Sequence, residues 1–168
     1  TLVRHAVRLH PPLGLPPGTY RLMVGVYEAE SGASWPAGDG RLLVQAAALS
    51  APGDQAPQGL RPLAVFDGGL ALVEMDLPEQ QVQAGRYMHL TTLWSALQPP
   101  AEELVLFVQL LDDRGQLVAA QEGPPDAGRF PTSRWGAGQA VRDMRSLHVP
   151  ADTPAGRYRL ILGWYRAA

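Results

Sequence analysis

The sequence predicts an all-β chain built as a β-sandwich, and three observations predict it. Short runs of alternating apolar and polar residues recur along its length, separated by glycine- and proline-rich turns. No segment of twelve or more residues keeps a helical period free of Pro or Gly. One stretch occurs twice: Leu9-His10-Pro11 through Pro16-Pro17-Gly18-Thr19-Tyr20-Arg21-Leu22 to Gly25 and Tyr27 returns as Leu147-His148 through Pro154-Ala155-Gly156-Arg157-Tyr158-Arg159-Leu160 to Gly163 and Tyr165. Gly18 recurs as Gly156, an offset of 138 residues.

The Pro-x-Gly-x-Tyr core of the repeat is a turn followed by a strand. Proline fixes φ and ends the preceding strand, and glycine supplies the turn. Beyond it Tyr20, Leu22, Val24 and Val26 share one face, as do Tyr158, Leu160, Leu162 and Trp164. A tyrosine just after a turn, entering a long strand, is similar to the tyrosine corner of immunoglobulin-like sandwiches, where the hydroxyl bonds back to the backbone. The plainer alternative is two buried strand aromatics. The fold class expected is therefore an immunoglobulin-like β-sandwich. By the repeat, it comprises one partial module and a second, nearly complete one.

Taken in order, residues 1–9 read as a strand and 19–27 as its partner across the corner. Gly38-Asp39-Gly40 is a tight turn, and Arg41–Ala47 is a further strand that closes the first module. Residues 50–62, rich in Pro, Gly and Gln, read as a linker. Leu63–Phe66 and Leu70–Asp76 pair around Asp67-Gly68-Gly69. Arg86–Ala96 is a long strand with Met88, Leu90, Thr92 and Trp94 on one face. Glu103–Leu111 is nearly all apolar, as a central strand would be. Asp112-Asp113-Arg114-Gly115 turns into Gln116–Gln121. A Pro/Gly loop over 122–138 precedes strand 140–147, the second corner and strand 157–165. The domains expected are 1–49, the last strands of a first sandwich; 50–62, a linker; and 63–168, a second sandwich lacking its last strand. Because the chain opens and stops partway through a module, without an initiator methionine, it reads as a piece of a longer protein.

Four motifs carry a resemblance: Leu93-Trp94-Ser95-Ala96-Leu97, Phe107-Val108-Gln109-Leu110-Leu111-Asp112, Pro131-Thr132-Ser133-x-Trp135-x-x-Gly138, and Pro-x-Gly-x-Tyr-Arg-Leu. Together they resemble the soluble C-terminal β-sandwich region of large bacterial membrane proteins described as glycosyltransferases of the dolichyl-phosphate-mannose type. The resemblance covers most of 84–168 and, through the repeat, 1–48. It implies an extracytoplasmic module, at the cell surface or membrane-attached, whose membrane contact lies in parts outside this chain. It carries no catalytic residue over.

Composition narrows the chemistry. The net charge is −2, which points away from nucleic acid. There is no cysteine, so no disulfide, thiolate metal site or catalytic thiol is available. All fourteen basic residues are arginine, as a GC-rich genome would give. His10 and His148 are repeat equivalents at loops, with no second ligand at metal spacing. His5 and His89 stand alone, and no Asp-x-Asp-x-Asp calcium loop occurs. We expect no catalytic residues, no metal and no cofactor; the chain is not expected to be an enzyme.

Two surfaces stand out. Arg129, Thr132, Ser133 and Trp135 combine a ring face with hydroxyl and guanidinium groups, the set that carbohydrate sites use. The alternative is that Trp135 plugs the end of the sandwich. Strand 157–165 lacks the neighbour that Arg41–Ala47 gives its repeat. Leu160, Ile161, Gly163 and Tyr165, with Phe107 beside them, then form an interaction edge for a protein partner or another copy. Strands of 1–48 are the alternative cover. The first reading is a structural or protein-interaction module; a carbohydrate-binding module using 129–135 is the second.

Overall fold

A computed structural model describes residues 7–41, 43–57, 59 and 61–166. The chain divides into two compact units, Pro16–Gly53 and Thr1–Leu15 with Asp54–Ala168. The boundaries expected at 49 and 62 therefore differ from those observed at 15 and 53.

Within Pro16–Gly53, β1 (Gly18–Val24) pairs antiparallel with β4 (Val44–Ala51), and β2 (Val26–Tyr27) with β3 (Ser34–Trp35). The Gly38-Asp39-Gly40 turn closes with Gly40 N–H donating to Ala37 O. Ala37 N–H then donates to Arg41 O, and Asp39 binds the Arg41 backbone and guanidinium. Those bonds hold Arg41 in the turn, so the strand expected from it starts only at Val44. No described residue of 16–53 is buried.

Among the described residues the larger unit is all β apart from two short 3₁₀ turns, Pro125–Gly128 and Thr132–Arg134. Its strands are β5 (Asp54–Gln55), β6 (Ala64–Phe66), β7 (Leu70–Asp76), β8 (Tyr87–Ala96), β9 (Leu104–Leu111), β10 (Leu117–Gly123), β11 (Gln139–His148) and β12 (Arg159–Arg166). They form a five-stranded sheet, β5-β11-β8-β7-β6, and a three-stranded sheet, β10-β9-β12, antiparallel throughout. The expected pairing around Asp67-Gly68-Gly69 is present, and β9 is central in its sheet.

The core lies between the two sheets, as alternation dictates. One cluster joins Leu70, Leu72, Trp94, Ala96 and Val141 of the larger sheet to Leu106 of β9, with Leu162 and Trp164 of β12 packed against it. A second joins Met88, Leu90 and Leu147 to Val108 and Leu110, with Leu160 and Val118 alongside. Trp94 is fully buried, as its strand face predicts, and its Nε1–H donates to Thr92 Oγ1 at 2.8 Å.

Two expected segments behave differently. Residues 7–9 form no strand, and 1–6 lie outside the described residues. The chain at 13–15 instead binds the outer side of the larger sheet. Arg142 N–H donates to Gly14 O, Arg142 Nε–H donates to Leu13 O, and Asp54 Oδ2 accepts from Gly14 and Leu15 N–H. A Cβ on Gly14 would sit 2.5 Å from Arg142 N, at φ +94, so only glycine fits. The segment 50–62 is not all linker. Ala51 ends β4, and Asp54–Gln55 is an edge strand opposite Ala140 and Gln139. Asp54 thus does two jobs that its Pro/Gly surroundings conceal.

Candidate functional site

The 122–138 loop brings Trp135 and Thr132 into the fold. Trp135 is 2% exposed, and its Nε1–H donates to Phe130 O at 3.0 Å. Its ring stacks on Phe130 and meets Trp164 edge-on at 6.0 Å. Thr132 has no exposed surface; its hydroxyl accepts from Leu104 N–H and donates to Glu102 O. The loop is therefore pinned to the start of β9 by a threonine and sealed by an indole. Trp135 offers no ring face to a sugar, which corrects the carbohydrate-platform expectation in favour of the plug. Arg129 and Ser133 remain outside, engaged with Asp126 and Glu103 respectively.

Strand β12 leaves the second corner. Tyr158 hydroxyl donates to Pro154 O at 2.6 Å, and Tyr20 hydroxyl donates to Pro16 O at 2.7 Å. The two bonds match in the repeat register, as expected, but both tyrosines are half-buried rather than buried. Among the described residues β12 pairs only with β9, from Arg159 opposite Leu111 to Arg166 opposite Leu104. Leu160, Leu162 and Trp164 point into the core, while Ile161 and Tyr165 are exposed on the outer face.

Gly163 lies directly opposite Phe107, and a Cβ there would fall 2.8 Å from Phe107 Cζ. The close approach that a mid-strand glycine suggests is thus made by Phe107 of the same sheet. Tyr165 stands beside Phe107, with ring centroids 6.3 Å apart. Partial burial first, and the Glu122 carboxylate second, push the Tyr165 hydroxyl pKa up.

Two features had no place in the sequence reading. Asp143 and Arg145, both buried, form an ion pair on the inward face of β11 with Nε to Oδ1 at 2.7 Å. Arg145 also donates to Gly123 O at 3.0 Å, and Asp143 Oδ2 accepts from Asp126 N–H at 2.9 Å. This ties the larger sheet to the end of β10 and to a turn in which Asp126 and Ala127 hold φ of 49 and 53, a strained geometry for side-chain-bearing residues. The signal was present in the sequence: Val141, Asp143, Arg145 and Leu147 alternate, placing opposite charges two apart on an apolar face. The second feature is a cleft of about 820 Å³ beside the corner. Met88, Leu110, Val149 and Leu160 line it together with Glu79 and Arg157.

Among the described residues no three His, Asp or Glu side chains converge as a metal site. His148 contacts the Tyr87 ring at 5.0 Å, and His89 Nδ1 lies 2.9 Å from Ser146 Oγ, both at the surface.

No family model matches this chain, and no curated protein matches it.

Proposed function

We propose that this chain is a non-catalytic, immunoglobulin-like β-sandwich module with a structural or protein-interaction role. In this reading it lies outside the cytoplasm as part of a larger membrane-associated protein of the kind its motifs resemble. The observation that carries the reading is β12, a strand with apolar side chains and one unpaired side among the described residues. The paired tyrosine corners and the Trp94 core support the immunoglobulin-like assignment. The two-stranded β1–β4 pairing within residues 16–53 supports a partial module followed by one that lacks its last strand. Asp143 has both carboxylate oxygens bonded, to Arg145 and to the Asp126 backbone, which supports a structural rather than a proton-transfer role.

The test uses a photo-crosslinking amino acid at Ile161, on the outer face, and another at Ser133. In membranes of the organism that makes the protein, Ile161 should capture a protein and Ser133 none. A saccharide that binds saturably, and ceases to bind in Arg129→Ala or Ser133→Ala, would replace this reading with carbohydrate binding through 129–135.

A further inference from the structure

We infer that the outer edge of β12 is a strand-acceptor site. Its occupant is an antiparallel, uncharged, alanine-rich segment with the chemistry of β4, supplied by a partner. The inference rests on the interaction reading above and specifies what the edge takes.

The backbone directions decide which residues are open. In an antiparallel ladder, N–H and C=O point to alternate sides at successive residues. Asp112 N–H donates to Gln116 O, across the β9–β10 hairpin. Even-numbered residues of β9 therefore face β10 and odd-numbered ones face β12. Leu111, Gln109, Phe107 and Val105 pair with Arg159, Ile161, Gly163 and Tyr165, so those residues of β12 spend their backbone groups on β9. The N–H and C=O of Leu160, Leu162 and Trp164 face the other way, where no described strand lies.

The repeat shows what such an edge binds. Leu22, Val24 and Val26 are the equivalents of Leu160, Leu162 and Trp164. Glu28 N–H donates to Ala33 O, so Glu28 and Val26 face β3. Carried back along the strand, the same alternation turns Val24 and Leu22 toward β4. The repeat strand therefore uses, for β4, the side that β12 leaves open. Both strands start from the same tyrosine corner, so register transfers with them. In β1 Tyr20 lies opposite Leu49 and Leu22 opposite Ala47. A β4-like strand on β12 places its leucine opposite Tyr158 and its alanine opposite Leu160. Val44–Ala51 carries no charge and four alanines, so it can approach the edge without burying an ionised group. Main-chain bonds of this kind supply affinity, and side-chain alternation supplies register.

The experiment adds a synthetic peptide of residues 43–52 to the whole chain and follows amide exchange. Exchange at Leu160, Leu162 and Trp164 should slow about tenfold or more. A peptide carrying Ala47→Pro and Leu49→Pro, which lacks the N–H groups of a strand, should have no effect. A second form guards against weak binding: residues 29–51 are joined after Arg166 in place of 167–168, as they follow Glu28 in the repeat. The same three amides should be protected there, and the doubly proline-substituted extension should not protect them. Exchange unchanged in both forms, or slowed equally by the proline versions, overturns the proposal. Loss of protection with the Ile161 cross-link retained overturns strand addition alone and leaves the interaction reading standing.

Discussion

Tyr20 and Tyr158 make the same hydroxyl bond four residues back, yet the strands that leave the two corners are covered very differently. On β12, Leu162 and Trp164 pack against the Trp94 cluster, between two sheets. On β1 and β2, the equivalents Val24 and Val26 are 52% and 59% exposed, and Trp35 beside them is 62% exposed. They line a groove of about 430 Å³ with Pro36, Val44 and Ala46. A corner is a local device: proline, glycine and tyrosine within five residues specify it, so it forms in both contexts. A core is not local. It needs strands from far along the chain, and a two-stranded ribbon has none to offer.

The largest effects should therefore separate the units. Trp94→Ala should cost about 3–5 kcal/mol of the larger unit's stability, because a fully buried ring leaves a cavity. Breaking the inward ion pair should be of similar size. Arg145→Ala leaves Asp143 buried without its cation, at about 3–5 kcal/mol, whereas Asp143→Leu with Arg145→Met should cost clearly less than either single change. Urea unfolding measures both. A Trp35-only variant (Trp94, Trp135 and Trp164 to Phe) reports the ribbon in a separate experiment. Additive costs for the ion-pair changes would show that the two residues act independently.

Gly163→Ala should cost about 1–3 kcal/mol by forcing the Phe107 ring aside. Phe107→Ala in the same chain should recover part of that loss, since the colliding atoms are gone. An equal loss in both backgrounds would place the constraint on the backbone rather than the ring. Smaller still, Tyr158→Phe and Tyr20→Phe should each cost about 1 kcal/mol, the worth of one hydroxyl-to-carbonyl bond. Equal costs would confirm a corner that works without a core; a larger cost at Tyr158 would show that the sandwich adds to it.

The same contrast explains how far the sequence could be read. Strands β6 to β12 are legible because alternation and turn residues are local signals. Trp94 is legible because it lies in phase with Met88 and Leu90. Asp54 is not: one side chain caps Gly14 and Leu15, some forty residues earlier, while its own backbone pairs with β11. Nothing in a Pro/Gly-rich run announces a contact of that span. Trp135 was ambiguous for a related reason. The loop shows an indole among polar groups, but only the fold shows Thr132 fastening that loop to Glu102 and Leu104 and turning the ring inward. Asp143 and Arg145 could have been found, since their phase puts them inside; two charges on an apolar face should be read as a pair.

Acid and alkali should touch the two units separately, and this is the smallest effect. Asp39, in the ribbon, has its pKa lowered from the ordinary 3.8 by the Arg41 side-chain bond first and the Arg41 backbone bond second. A lowered pKa means that the folded state favours the charged form. The ribbon's gain is present above the unfolded value and is lost as pH falls through the lowered one. Tyr165, on β12, has its pKa raised from 10.0, by partial burial and then by Glu122. Here the folded state favours the neutral hydroxyl, so the contribution is intact below the unfolded value and is lost as pH rises through the raised one. Tyrosinate absorbance should therefore show a late-titrating component that vanishes in Tyr165→Phe and moves earlier in Glu122→Gln. Both carboxylate and phenol are at the surface, so the shifts should shrink with added salt to the extent that charge causes them. The burial component should survive salt. If Tyr165→Phe removes no late component at low or high salt, the Phe107–Tyr165 face is fully wetted, and β12 resembles β1 more closely than its packing suggests.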